Sequence, residues 1–193
     1  MSNNTNKIIQ SLVFIASKME DKTVDVMKAY KLLWLADRCH LRMYGRTITG
    51  DKYYALPMGL VPTDAKHILD GVKTRRETPA DYFDRWIEKR DLHKYTAIAA
   101  PDMDEFSESD IEVLEKVLTL YGGYSRHELS KLSHKYPEWR QYEDMLKDEH
   151  RANAFPINID LMFENSEEDN SELFNQSDEV LAITKELYHE FNR

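Results

Sequence analysis

The stretch that decides the fold is KLLWLADRCHLRMYGRTITGDKYYALPMGLVP, residues 31–62. The sequence is apolar on almost every side from Ala29 to Ala36, which predicts a buried central helix rather than a surface helix. We expect this helix to begin at Thr23, whose hydroxyl can cap a first turn. Gly45 can adopt the left-handed conformation that ends a helix, so the helix is expected to end there.

A short strand and two turns follow the predicted helix. Residues 49–51, Thr-Gly-Asp, are typical of a turn, and residues 52–56, KYYAL, form a strand-like run. Residues 57–62, PMGLVP, are expected to end the strand. Thr63 or Asp64 can then cap a third helix.

The central helix carries basic residues on one side. At about 100° per residue, Lys28, Lys31, Arg38 and Arg42 fall on a common face. The simplest interpretation is a solvated face, because Lys and Arg stems cover apolar surface while their charged ends reach water.

Asp37 lies on the opposite, apolar side of the helix, where a carboxylate is costly unless donors reach it. We expect Asp37 to accept hydrogen bonds from backbone amides of the following loop, from His40 or from a tyrosine hydroxyl. The pattern favours a residue that anchors the loop over a general acid.

These residues resemble the Panacea domain, the SocA-like antitoxin family of bacteria and phages. A second block farther along, a helix that ends in His followed by Pro and Trp, resembles the same family, and the two blocks lie within residues 8–147. One departure is the turn Gly59-Leu60-Val61, where many members have Gly-Pro-Val, so this turn is expected to be less rigid. The residues that carry the resemblance are Lys31-Leu32-Leu33-Trp34, Ala36-Asp37-Arg38, His40-Leu41, Tyr44-Gly45-Arg46, Ile48-Thr49-Gly50-Asp51, Tyr53-Tyr54-Ala55, Pro57, Leu129-Ser130, Leu132-Ser133-His134, Pro137 and Trp139.

The resemblance implies an antitoxin rather than an enzyme. Such domains neutralise a toxin, commonly encoded by the adjacent gene, by binding it directly, and some members resemble adaptors that deliver the toxin to a protease. The expected structural residues of the motif are Asp37, His40, Gly50, Asp51, Tyr54, Pro57, His134 and Pro137. The turn before Thr63 is either a packed connection or a partner-contacting loop. On the second interpretation the partner-binding residues are Met58, Gly59, Leu60, Val61 and Trp139, because an aromatic residue beside a turn can anchor a partner.

Composition limits the class of protein. The 193 residues are 41% hydrophobic and 11% aromatic, which is enough for a folded core. No apolar run is long enough for a membrane span, and the N-terminus does not read as a signal peptide. Cys39 is the sole cysteine, which excludes an intramolecular disulfide and fits a reducing cytoplasm, and the resemblance implies a bacterial one. A net charge of −9 disfavours a nucleic-acid binder and fits a basic protein partner.

The remaining sequence predicts a predominantly α-helical α+β fold, with a compact helical domain and a small antiparallel β element. Amphipathic or capped segments predict further helices. Residues 82–87 and 94–99 fit either a β-hairpin that extends the strand near Tyr53 or, for residues 80–89, a helix. The expected helices are residues 8–19, 63–72, 110–121 after Ser107, 126–135 after Ser125, and 137–147 after the favourable first residue Pro137.

The chain is expected to divide into three parts. Residues 1–150 form the SocA-like domain, residues 151–179 an acidic flexible linker, and residues 180–193 a C-terminal helix. Residues 164–179 contain no Lys or Arg, and their low apolar content is typical of a segment that cannot fold alone.

No catalytic, cofactor or metal site is predicted. His127-Glu128 lacks the second His of an HExxH motif, and His127 with His134 would need an outside carboxylate to hold a metal. Two other functions stay open: a proteolytic adaptor, and an enzyme with an unrecognised site around Asp37, His40 and His134. A DNA-binding autoregulator is a weaker reading, since no basic recognition helix is present.

Overall fold

The protein is predominantly α-helical with small antiparallel sheets, as the sequence predicts. A computed structural model describes residues 5–71, 80–148, 153–170 and 172–192. The helices are α1 (Thr5–Ser17), α2 (Val26–Tyr44), α3 (Thr63–Asp70), α4 (Ala80–Phe83), α5 (Glu108–Tyr121), α6 (Arg126–Ser133), α7 (Pro137–Arg140), α8 (Glu143–Leu146) and α9 (Asp178–Phe191). The strands are β1 (Thr23–Asp25), β2 (Tyr53–Leu56), β3 (Gly59–Pro62), β4 (Ile87–Lys89), β5 (Lys94–Ala97) and β6 (Phe155–Pro156).

Helix α2 is the centre of the molecule, and α1, α5, α6, α9 and β3 pack around it. Residues 29–42 of this helix are all buried, which confirms the predicted central helix. Gly45 ends it with φ 68°, also as predicted. The predicted start at Thr23 is wrong. Thr23 belongs to β1, and the cap is Asp25, whose carboxylate accepts from the amides of Met27 at 2.9 Å and Lys28 at 3.2 Å.

The first sheet has the strand order β1-β5-β4. A β4–β5 hairpin is present, as one of the two alternatives predicts, but its first strand is residues 87–89 instead of 82–87, and residues 80–83 form α4, as only the helix alternative allows. The expectation that this hairpin extends the strand near Tyr53 is wrong. Strand β5 pairs instead with β1, with Val24 opposite Tyr95. The Tyr95 hydroxyl donates to the Leu12 carbonyl at 3.0 Å, which fixes the sheet against α1.

The second sheet has the order β3-β2-β6. We predicted that residues 57–62 end the strand, but residues 59–62 form β3, which pairs with β2 in a tight hairpin. Only Pro57 and Met58 lie between the two strands. Gly59 makes this tip feasible because its φ is 96°, a region that side chains disfavour. Strand β2, with its alternating burial, is therefore one arm of a hairpin with β3.

Several local signals for helix ends are confirmed. Ser107 and Asp110 form a capping box at α5, and Ser125 and Glu128 form another at α6. Pro137 is the first residue of α7, as predicted. The predicted continuation of this helix to Lys147 is wrong, because α7 ends at Arg140 and the chain turns before α8 begins.

The described part of the C-terminal region packs on the domain. Strand β6 pairs with β2, and helix α9 packs against α2. Between them, Met162, Phe163, Leu173 and Phe174 are buried in the common core. The division into three parts stays a prediction, but the segment expected to be a flexible linker supplies core residues and a strand.

Candidate functional site

The loop after α2 is organised around the Asp37 carboxylate, which is completely buried. It accepts from the amides of Ile48 at 2.8 Å and Thr49 at 3.0 Å, and from the Tyr53 hydroxyl at 2.8 Å. The Thr49 hydroxyl donates a further short bond. The expected contacts with loop amides and a tyrosine are therefore present, and His40 is not among the partners. Burial raises the pKa of Asp37, while these hydrogen bonds act in the opposite direction.

Asp51 performs the second anchoring task of the loop. Its carboxylate accepts from the amides of Asp64 and Ala65, each at 2.8 Å. These are amides of the first turn of α3, so Asp51 caps that helix from a distance in sequence. We predicted that Thr63 or Asp64 would be the cap, but the residue before the helix is Pro62, whose side chain cannot accept a hydrogen bond.

Helices α2 and α6 hold the tip of the β2–β3 hairpin. The Ser130 hydroxyl donates to the Met58 carbonyl at 2.9 Å, and the Lys31 ammonium donates to the Leu60 carbonyl at 2.6 Å. A Cβ added to Gly59 would lie 2.1 Å from the Ser133 hydroxyl oxygen. The hairpin therefore lies against the two helices with no room for a side chain at this position.

Trp139 and His134 hold the other end of the tip. The Trp139 indole donates to the Leu56 carbonyl at 2.9 Å. The His134 ring stacks on Trp139 with centroids 3.9 Å apart, and His134 also hydrogen-bonds the backbone of Pro57. The first and second sequence blocks of the motif thus meet at this hairpin, where His134 packs on Trp139.

The remaining motif residues are spread along the same framework. The two ring nitrogens of His40 lie 2.8 Å from the Arg46 carbonyl oxygen and 3.0 Å from the Ser109 hydroxyl. Gly50 has φ 65°, and Tyr54 pairs with Val61 and Pro156. These contacts agree with structural roles. Among the described hydrogen bonds, those of Asp37, His40 and His134 go to different partners.

The five residues considered for partner binding differ in their exposure. Met58 is 46% exposed at the hairpin tip. Val61 is half-buried, whereas Gly59, Leu60 and Trp139 are buried. Met58 is therefore the member that offers a side chain to a partner without any rearrangement, and the buried members support its position.

The basic face of α2 is not solvated, contrary to the prediction. Lys31, Arg38 and Arg42 are fully buried, and Lys28 alone is half-buried. Arg42 donates to the carbonyls of Met162, Phe163 and Glu164 and to the Asn165 side chain, at 2.6–3.3 Å. The C-terminal segment covers this face, which is why the arginines are withdrawn from water.

Arg38 contacts the same C-terminal segment as Arg42. We call Arg38 and Arg42 the arginine cluster. The Arg38 guanidinium donates to Asp169 at 2.8 Å and to the Glu164 carbonyl at 2.7 Å. Its Nε lies 3.3 Å from Glu138, which also accepts from the Trp34 indole at 3.1 Å. Sequence reasoning missed the cluster. Two features of the sequence could have indicated the cluster. They are a pair of arginines four residues apart on a helix predicted to be buried, and a later segment rich in carboxylates.

The sole cysteine of the chain lies in the core. Burial raises the pKa of the Cys39 thiol to about 12, so the sulfur is protonated at neutral pH. The described residues contain no group of three His, Cys, Asp or Glu side chains placed to hold a metal. Within the same residues, no helix is both long and apolar enough to cross a membrane.

Comparison with known families gives one result. The family model described as "Antitoxin SocA-like, Panacea domain" matches residues 30–140, more than half of the chain. The match begins in α2 and ends in α7, so it spans the loop anchored by Asp37, the β2–β3 hairpin and the helices that hold it. No curated protein and no solved structure matches the chain significantly.

Proposed function

The chain belongs to the antitoxin SocA-like, Panacea domain family, and on that premise we propose that it neutralises a protein toxin by binding it directly. The toxin would be the product of the adjacent gene, and the two proteins would meet in the bacterial cytoplasm. The observation that carries the proposal is the family match over residues 30–140. On this proposal the protein is a binding protein and not an enzyme.

The internal bonding of the motif supports this proposal. The carboxylate oxygens of Asp37 and Asp51 accept hydrogen bonds from backbone amides and hydroxyls of the same chain. A general acid or base needs access to the proton that it transfers. These buried carboxylates are better suited to hold a surface in shape than to act on a substrate.

We place the toxin contact at the tip of the β2–β3 hairpin, with Met58 as the central side chain. Its backbone is fixed by Ser130, while its side chain is 46% exposed. Methionine adapts to irregular surfaces and is common at binding sites. Because the turn is already rigid, little backbone conformational entropy is lost when this side chain binds a partner.

The charge of the chain supports a basic partner. Thirty-five acidic residues against 26 basic ones give a net charge of −9. Opposite charge accelerates encounter and disfavours wrong pairings. A toxin that acts on nucleic acids or nucleotides carries positive charge at its working surface, so neutralisation would cover that surface.

Co-expression tests the proposal. The adjacent-gene product should reduce viable counts alone and not in the presence of this protein, and the two should co-purify. Met58→Asp should weaken the complex by about tenfold or more, because it places a charge at a desolvated contact. Met103→Asp is the matched control, since Met103 is 43% exposed on a different part of the surface.

The alternatives predict different outcomes of the same experiment. A proteolytic adaptor would give rescue while the toxin disappears, and rescue would fail in a host without the protease. An enzyme with an unrecognised site would lose rescue on Asp37→Asn in a protein that still folds, whereas a binding protein would keep it. If the toxin still kills beside well-folded protein, the proposal is wrong for that pair.

A further inference from the structure

Helix α9 has one broad apolar face, and only part of it is buried inside the molecule. At about 100° per residue, Val180, Ile183, Leu187 and Phe191 fall within an arc of about 80°. We call these four residues the outer stripe. They are 39%, 52%, 36% and 82% exposed, respectively, although all four side chains are apolar. Single exposed apolar residues are ordinary, but four in a row along one helix mark a binding surface.

The side of the helix next to the outer stripe fixes how the helix sits. Leu181 and Thr184 are buried, and the Thr184 hydroxyl lies 3.1 Å from the Arg42 carbonyl oxygen, to which it donates. Lys185 and His189 both contact Asp160, at 3.1 Å and 2.9 Å. These contacts hold α9 against α2 and against Asp160. The outer stripe therefore cannot turn inward without breaking them.

Acidic side chains border the outer stripe. On the same helical projection, Glu179, Glu186 and Glu190 lie side by side along the edge of the stripe next to Ile183. All three are exposed, and none forms an ion pair with another residue that the structure describes. An apolar stripe with an edge of unpaired glutamates complements an apolar stripe with a basic edge.

We propose that the outer stripe is a second docking surface, and that its occupant is an amphipathic helix of a basic protein, with lysine or arginine beside its apolar face. This inference rests on the proposed function, in which the basic protein is the toxin. Helix α9 lies outside residues 30–140, so the surface would add contacts that the matched domain does not supply. Helix-on-helix docking of this kind uses apolar anchors three and four residues apart, which is the spacing of the stripe.

Two other occupants fit the charges less well. A second copy packed antiparallel would bring the glutamates of one helix beside those of the other, and like charges at such an edge repel. A membrane surface favours helices with lysine and arginine on the polar face, whereas here the edge is acidic. A basic helix from a partner protein satisfies both the apolar and the charged parts.

Binding of a synthetic peptide tests the inference without the toxin. The probe is a fluorescent helical peptide of about four turns, with leucine at heptad positions a and d and lysine at e and g. It should bind the full chain with micromolar affinity, and the affinity should fall with added salt. A peptide with glutamate in place of lysine should bind about tenfold more weakly or worse.

Substitutions on the stripe decide whether the peptide binds there. The double variant Ile183→Glu/Leu187→Glu should weaken binding of the lysine peptide by about tenfold or more. Leu92→Glu is the matched control, because Leu92 is 83% exposed on the β4–β5 hairpin and should not affect binding. Circular dichroism checks that both variants are folded, and the melting temperature reports any loss of packing at Leu187, which is only 36% exposed and lies beside Gly45.

Several results would overturn the inference. The inference is wrong if the wild type does not bind the lysine peptide, if the glutamate peptide binds equally well, or if the double variant binds as tightly as the wild type. A wild-type dimer in sedimentation that the double variant abolishes would assign the stripe to a second copy. Wild-type binding to anionic vesicles that the double variant loses would assign it to a membrane.

The outcome is separable from that of the proposed function. If the wild type rescues cells from the toxin and the double variant rescues equally, the stripe is not a toxin contact and the proposed function stands. If the wild type does not rescue at all, the proposed function fails, and the peptide experiment still reports on the stripe.

Discussion

Arg42 shows how far the environment of a single side chain can depart from its local sequence pattern. Its guanidinium is fully buried and donates to three consecutive carbonyls, those of Met162, Phe163 and Glu164. Only a planar group with several donors can serve such a set at once, so lysine would be a poor replacement.

Removal of this guanidinium should destabilise the protein strongly. Arg42→Met leaves buried carbonyls without donors, and we expect a loss of about 3–5 kcal/mol in the free energy of unfolding. Urea denaturation measures it. Arg140→Met, at an exposed position, is the control and should change stability by less than about 0.5 kcal/mol. A loss below about 1 kcal/mol for Arg42→Met would contradict the assigned role of the cluster.

The burial of Lys31 predicts how the free energy of unfolding depends on pH. Burial lowers its pKa from 10.5 to about 7, and its ammonium group reaches only the Leu60 carbonyl among the hydrogen bonds described. Between pH 7 and 10.5 the unfolded chain therefore binds a proton that the folded chain lacks. The sign of the linkage is positive, so the free energy of unfolding should rise with pH in this range.

The comparison variant is Lys31→Met. From pH 7 to pH 9 the wild type should gain about 2 kcal/mol in the free energy of unfolding relative to the variant. Denaturation at a series of pH values measures the difference. Parallel curves for the two proteins would show that the pKa of Lys31 is not lowered in the fold.

At the scale of residues, the sequence predicts those contacts whose partners lie nearby. Asp37 faces its own loop, Ser107 and Ser125 cap their own helices, and His134 lies five residues before Trp139, so local patterns suffice. Arg42 contacts residues about 120 positions later, and no local pattern reports that. The solvated-face interpretation failed because it considered α2 alone.

At the scale of elements, the β2–β3 hairpin is the feature that local signals describe least well. Two prolines and a glycine within six residues are typical of a break, yet here they accommodate a tight tip and a strand end. Gly59 decides the geometry, because its positive φ and its closeness to Ser133 both exclude a side chain. The hairpin is stable because α2, α6 and α7 each supply it with a hydrogen bond.

This geometry predicts the effect of a methyl group. Gly59→Ala should destabilise the protein by about 2–4 kcal/mol, since it combines backbone strain with steric overlap. Gly71→Ala is the matched control, because Gly71 has a similar φ of 73° and nothing within 4 Å of the added Cβ. It should cost only about 1 kcal/mol.

A double-mutant cycle separates the two causes at Gly59. Ser133→Ala removes the hydroxyl that the new methyl group would meet, so it should recover part of the loss in the Gly59→Ala background. Equal losses for Gly59→Ala and Gly71→Ala in thermal or urea denaturation would show that the close approach to α6 has no energetic weight.

At the scale of the whole molecule, the chain is one layered arrangement around α2. The matched region supplies most of the central helix and the hairpin, and residues 155–170 and 172–191 cover the remaining side of α2 through the arginine cluster and α9. The fold class and the central helix follow from hydrophobic periodicity. The covering segment does not, because its few apolar residues are widely spaced and its carboxylates and backbone carbonyls are matched by the arginines of α2, far away in the sequence.

On the proposed function, the partner contacts lie on the surface, where Met58 and the outer stripe of α9 are exposed. The proposal therefore predicts stoichiometric binding, in which each molecule neutralises one partner.

Titration of toxin activity with the purified protein tests that claim most directly. We predict that residual activity falls in proportion to the amount of protein added and reaches its floor near one molecule per toxin, with the two eluting together in gel filtration. Complete loss of toxin activity at a ratio far below one, with no stable complex, would contradict the account and indicate catalysis.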